Sequence, residues 1–180
     1  MKNSKILTLV FIALFSAIQI VLEFTNQFIP SLPQGGSISY SIIAIFLASY
    51  LLGVKEGILV GFVSSILQFA LGMASFYGWW SVLLDYVLPL SLCGMAGMIK
   101  NIKFKQIELP IGVIFAMVLK FIPHYLSGAV LFGEYAGDQN PYVYSLIYNL
   151  SYNVPTLIVC FILVMIIYPK LNAFFKKFDK

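Results

Sequence analysis

WWSVLLDYVLPLSL (residues 79–92) is an apolar run with one carboxylate, Asp85, near its middle. A run of this length and greasiness reads as a membrane-spanning helix, and an ionisable group inside one is costly and faces a bundle interior or a cavity. The rest of the chain agrees. It has 180 residues, of which 61% are hydrophobic and 10% charged. A soluble domain of this size is about 45–50% apolar and about 25% charged. The length suits one compact membrane domain, residues 1–180.

Apolar stretches near the roughly 20 residues needed to cross a bilayer number six: 6–22, 38–52, 57–71, 80–99, 109–132 and 142–168. They lack the alternation of barrel strands, so the expected fold is an all-α, six-transmembrane-helix bundle. The second and third stretches are short, which fits tilted, bent or re-entrant segments. Lys2 and Lys5 before the first stretch also resemble the start of a signal peptide, but no small-x-small cleavage site follows.

The lysines orient the bundle. The chain has no arginine, and ten of its eleven lysines lie on one side of a six-helix arrangement: Lys2, Lys5, Lys55, Lys100, Lys103, Lys105, Lys170, Lys176, Lys177 and Lys180. By the positive-inside rule both termini are cytoplasmic. The eleventh, Lys120, falls inside the fifth helix. The outer connections are long and rich in Pro, Gly and aromatic residues: 24–37, 72–80 and 133–142. They fit either a lid over a ligand or an interfacial aromatic belt.

Several polar groups share one depth. At 1.5 Å per residue, Asp85 lies roughly 8 Å below the outer surface, and so does His124, approached from the other direction. Tyr144, Tyr148, Asn149 and Tyr152 follow within the first turns of the sixth helix. Aromatic walls with a few convergent polar groups and one charge describe a small-ligand pocket. An ionised Asp85 favours a cation, and Tyr86, Tyr144, Tyr148 and Phe132 offer rings for a flat or charged ligand. Alternatively Asp85 pairs with Lys120, and His124 serves as an interhelical hydrogen-bond partner. Tyr144 and Asn149 point about 140° apart, so a shared pocket would wrap around their helix.

Other chemistries find little support. Cys93 and Cys160 sit in apolar runs without metal-ligand spacing and read as small buried hydrophobes. One histidine leaves no zinc site or hydrolase triad, and no phosphate-binding loop is present. Neither a cofactor nor a nucleic-acid partner is expected. Ala13 with Ala17, Ala44 with Ala48 and Gly57 with Gly61 are small pairs four apart, which allow close helix approach.

LLDYVLPLSLCGMAG (83–97) and PHYLSGAVLFGEYAGDQNPYVYSLIYNLSYNVP (123–155) resemble the thiamine-specific substrate-binding subunits of energy-coupling-factor vitamin transporters. The resemblance implies a six-helix protein of the bacterial cell membrane that binds thiamine near its outer face. It implies work in concert with a transmembrane coupling protein and two cytoplasmic ATPases. It places the family's acid and tyrosine on Asp85 and Tyr86, with Asp85 facing the thiazolium cation. It places the family's histidine on His124, its stacking aromatic on Phe132, and its pyrimidine-side residues on Tyr144 and Asn149. Relatives can carry glutamate where Asp85 stands and tryptophan where Phe132 stands. The first outer loop has Phe24 and Phe28 but no tryptophan, so Trp79 and Trp80 are expected at the pocket rim. The family's surface for the coupling protein falls on Ala13 and Ala17. Two other readings remain: a subunit for another vitamin or a hydroxymethylpyrimidine-like precursor, and a ligand-free scaffold built on Asp85, Lys120 and His124.

Overall fold

The computed structural model describes residues 5–105 and 107–176; Lys2, Lys177 and Lys180 of the charge pattern lie outside the described residues. Six helices follow in order: α1 (Lys5–Asn26), α2 (Ile43–Leu51), α3 (Val54–Ala70), α4, α5 (Ile111–Val130) and α6 (Pro141–Phe175). Helix α4 is three contiguous pieces, α-helical Trp79–Ser81, π-helical Val82–Val87 and α-helical Leu88–Cys93. Among the described residues, four stretches are long and apolar enough to cross a membrane: Lys5–Asn26, Trp79–Met98, Ile111–Val130 and Pro141–Phe175.

The second apolar stretch departs most from expectation. Only nine of its residues are helical, and residues 37–42 run as non-helical chain into α2. Ile43 through Ser49 are all buried, so α2 is covered on every side, as a helix that is apolar all round must be. It packs against α1, α3 and α6 and forms the centre of the bundle. Carbonyls of the lead accept from the first amides of α2, but the amides in and just before it have no helical acceptor, and side chains supply one. Thr156 Oγ1 accepts from the Ser39 amide at 3.1 Å, Asn26 Oδ1 from the Tyr40 amide at 3.3 Å, and Tyr148 Oη from the Gly36 amide at 2.8 Å. Irregular backbone at such depth is tolerated where protein surrounds it or a cavity borders it.

Glycines let α3 press against its neighbours. A Cβ on Gly57 would meet Ser49 Cβ at 2.6 Å and the Gly94 carbonyl at 2.8 Å, and one on Gly61 would strike the Leu90 carbonyl. The third small pair, Ala44 and Ala48, is buried inside α2. Cys93 and Cys160 are free thiols, fully buried in the same core.

Helix α1 turns Ile12, Phe15, Ser16, Gln19 and Asn26 inward. Its other face is apolar and exposed, with Ile6, Leu9, Val10, Leu14 and Val21 around Ala13 and Ala17. The stretch between α4 and α5, expected as a plain loop, forms an antiparallel hairpin of β1 (Ile102–Phe104) and β2 (Ile107–Leu109). Lys103 and Glu108 pair across it at 3.4 Å. Two helices overrun their expected ends: α1 continues to Asn26 rather than 22, and α6 to Phe175 rather than 168.

Candidate functional site

Opposite the hairpin, the bundle opens into a cavity of about 580 Å³, walled by α1, α3, α4, α5, α6 and the loops that join them. Pockets of about 300–1,000 Å³ hold small-molecule ligands. Asp85, Tyr86, His124, Phe132, Tyr144, Tyr148 and Asn149 all line it.

Asp85 and Tyr86 stand on the π-helical turn of α4. Pro89 explains why the helix widens there. Proline has no N–H for the carbonyl four residues earlier, that of Asp85, and its ring crowds that carbonyl. The wider turn relieves both, and such turns are frequent at functional sites. The Leu88 amide accordingly donates to the Leu83 carbonyl, five residues back. Asp85 Oδ2 accepts from Ser81 Oγ at 2.7 Å, and Oδ1 lies 3.8 Å from His124 Nδ1. The two groups read at one depth therefore do meet. The carboxylate is not paired with Lys120, whose ammonium instead donates to Asn153 Oδ1 at 2.9 Å. Asp85 keeps 21% of its side chain accessible and His124 keeps 16%, so both face the cavity rather than packed protein.

Helix α6 offers two faces. Tyr144 and Tyr148 stack at 6.0 Å, and Tyr148 meets Tyr152 edge-on at 5.7 Å. On the neighbouring face, Asn149 is held by its amide, which donates to the Ser145 carbonyl at 3.0 Å and the His124 carbonyl at 3.4 Å. Tyr152 Oη donates to Asn149 Oδ1. The cavity thus wraps the helix, which is how Tyr144 and Asn149 reach one space from diverging directions. Across from them, Phe132 stacks on Tyr135 at 6.2 Å and takes Tyr77 edge-on at 5.6 Å.

Trp79 and Trp80 are corrections. Neither lines the cavity; they are 80% and 66% exposed at the head of α4, and Trp79 rests edge-on against Phe76. The Trp79 and Trp80 side chains point outward, where an amphipathic ring suits a membrane–water boundary, while Ser81 in the same turn is buried and lines the cavity. Further lining residues come from the first outer loop, one of the connections that fit a lid, and from neighbouring helices. Ser31 through Ser37 form a roof, in which the Gly35 amide donates to the Leu32 carbonyl at 2.8 Å. Gly36 packs so near Tyr148 and Tyr152 that a Cβ would lie 2.8 Å from the Tyr148 hydroxyl and 2.7 Å from the Tyr152 ring. Glu23, Gln68 and Lys120 also line the cavity. Glu23 was legible in principle: it continues the inward stripe of Ile12, Ser16 and Gln19, one turn past Gln19 and just past the end of the apolar stretch 6–22.

A cavity walled by tyrosines and holding an accessible carboxylate, at one end of a small helical membrane bundle, defines a class. Two solved structures share this fold. One is the S component of a bacterial ECF transporter, matching with a TM-score of 0.66 at 24% identity over 96% of this chain and 99% of that one. The other is ThiT from Listeria monocytogenes, with a TM-score of 0.80 at 19% identity, again over 96% and 99%. In sequence, the thiamine transporter ThiT of Bacillus subtilis (strain 168) is 32% identical over 178 residues, 93% of each chain. The model of the thiamine transporter protein family matches residues 9–176, and the chain belongs to that family.

Proposed function

We propose that this protein is the thiamine-binding S component of an ECF-type importer in the bacterial cell membrane. It captures thiamine in the cavity and delivers it together with a transmembrane coupling protein and two cytoplasmic ATPases. The observation that carries the reading is Asp85, accessible in an aromatic cavity of about 580 Å³ in a chain of the thiamine transporter family. Thiamine's thiazolium is a permanent cation. A carboxylate held by Ser81 on a widened turn faces it without having to lose a competing salt bridge to Lys120. Tyr144, Tyr148, Tyr86 and Phe132 supply ring faces, and a cation over such a face gains about 0.5–2 kcal/mol. His124 and Asn149 supply hydrogen bonds to the pyrimidine side. Trp79 and Trp80 are assigned no ligand contact.

The topology proposed is one domain with six crossings and both termini cytoplasmic. Helix α2 is too short to cross alone. With residues 37–40 as extended chain at about 3.3 Å each and 41–51 at about the helical rise, the segment reaches roughly 30 Å, close to a ~30 Å core. Lysine sidedness supports the orientation. Ala13 and Ala17, exposed on the least covered helix, offer a flat surface on which a coupling protein can pack closely.

Calorimetric titration of the detergent-purified protein with thiamine tests the assignment. Saturable binding, weakened about 100-fold or more in Asp85→Asn while the variant still elutes as a folded monomer, is the expected result. A flat wild-type trace would refute it. Binding that survives Asp85→Asn unchanged would remove the ion pair from the mechanism.

A further inference from the structure

The cavity holds a second carboxylate. Glu23 lines it from α1, a different element from the α4 turn that carries Asp85. Its Oε2 accepts from Ser41 Oγ at 2.5 Å and Ser39 Oγ at 3.5 Å, and the two hydroxyls lie 3.0 Å apart. Ser41 Oγ in turn accepts from Gln19 Nε2 at 3.2 Å. The two hydroxyls are neutral donors, and both lie on one oxygen, Oε2. Among the described residues nothing in the protein donates to Oε1.

Charge balance makes this arrangement informative. The residues lining the cavity include two carboxylates, Glu23 and Asp85, and one ammonium, Lys120. Lys120 is close enough to Glu23 to act on it electrostatically, but its hydrogen bond goes to Asn153 and no salt bridge joins it to Glu23 among the described residues. A carboxylate half satisfied by hydroxyls, beside a ligand-sized space, is a strong acceptor facing that space. Holding the chain at Ser39 and Ser41 does not require a charge, since Gln19 already bonds Ser41. Asp85 stands on α4 with Ser81 and His124 around it. A ligand that reaches both carboxylates can offer a cation to one and N–H donors to the other.

Thiamine has that polarity: a ring cation at one end and an exocyclic amino group on its pyrimidine. Resting on the thiamine reading above, we infer that Glu23 is a second recognition residue, accepting the pyrimidine amino group through Oε1 while Asp85 faces the thiazolium. The carboxylate makes the site specific for aminopyrimidines, because an oxo group at the same position would set one acceptor against another. A hydrogen bond to a charged group discriminates by about 10- to 100-fold.

The test is a cycle between protein and ligand. Wild type and Glu23→Gln are titrated calorimetrically with thiamine, with oxythiamine, in which oxo replaces the amino group, and with pyrithiamine, which keeps the amino group and exchanges the thiazolium for a pyridinium. The wild type is expected to prefer thiamine over oxythiamine by about 10- to 100-fold. Glu23→Gln is expected to weaken thiamine and pyrithiamine by a similar factor and to leave oxythiamine nearly unchanged, so that the preference collapses. Equal weakening of all three ligands would reduce Glu23 to a positioning role and overturn the inference, as would a preserved preference. Should the variant fail to fold, a wild type that binds thiamine and oxythiamine equally overturns it alone. A wild type that binds none of the three refutes the thiamine reading itself, which is a different failure.

Discussion

Gly36→Ala is the most direct probe of the cavity roof. The added methyl would lie 2.7 Å and 2.8 Å from two carbons of the Tyr152 ring and 2.8 Å from the Tyr148 hydroxyl. Carbon–carbon contacts settle near 3.5–4.0 Å, so the roof and the two tyrosine side chains must move apart by about 1 Å. That shift breaks the 2.8 Å bond from the Gly36 amide to Tyr148 Oη. A typical hydrogen bond contributes about 0.5–1.5 kcal/mol and overpacking of this kind costs about 1–3 kcal/mol. If the roof must seat for the ligand to stay, the sum of about 2–4 kcal/mol predicts thiamine binding weaker by about 30- to 1,000-fold. The change should appear mainly as faster dissociation. Gly35→Ala is the matched control. Gly35 has φ +84° and nothing within 4 Å of a Cβ, so its alanine incurs only left-handed backbone strain, about 1–2 kcal/mol. Stopped-flow displacement of bound thiamine reads both variants, with the melting temperature of the empty protein as a check on folding. The reasoning fails if Gly36→Ala releases thiamine at the wild-type rate, or if Gly35→Ala is the more damaging change.

Two further outcomes follow from packing and surface. Gly61→Ala places a methyl on the Leu90 carbonyl, a backbone atom that cannot rotate away, so α3 and α4 must separate. The melting temperature of the empty protein should drop, with a loss of about 1–3 kcal/mol or more, and an unchanged melting curve would refute the close approach. Ala13→Trp and Ala17→Trp, on the exposed face of α1, should leave thiamine affinity within about twofold by calorimetry. They should abolish uptake into cells that carry the coupling protein and ATPases, and normal uptake would remove that face from the proposed contact.

Composition and hydropathy by themselves determined the solvent of this protein. A chain that is 61% hydrophobic and 10% charged cannot be covered by water, and apolar runs near bilayer length have to be helices or buried chain. Rise per residue is nearly constant along a helix, so depth could be counted, and Asp85 and His124, placed at one level, lie 3.8 Å apart. Periodicity likewise showed that Tyr144 and Asn149 diverge, and the cavity does wrap α6. Where hydropathy was the sole guide, it misjudged conformation. Residues 38–52 are mostly apolar, yet the first of them are not helical, because Thr156 and Asn26 on other segments take up the amide hydrogens of Ser39 and Tyr40. No local pattern encodes a hydrogen bond to a residue more than a hundred positions away. The same holds for the tryptophans: an aromatic pair at a helix head looks alike whether it faces a ligand or a lipid, and only the packing of α4 turned it outward. Glu23 was passed over because it stands at the end of an apolar stretch, where a charge is unremarkable. It became part of the site only when tertiary structure folded Ser39 and Ser41 against it at the edge of the cavity.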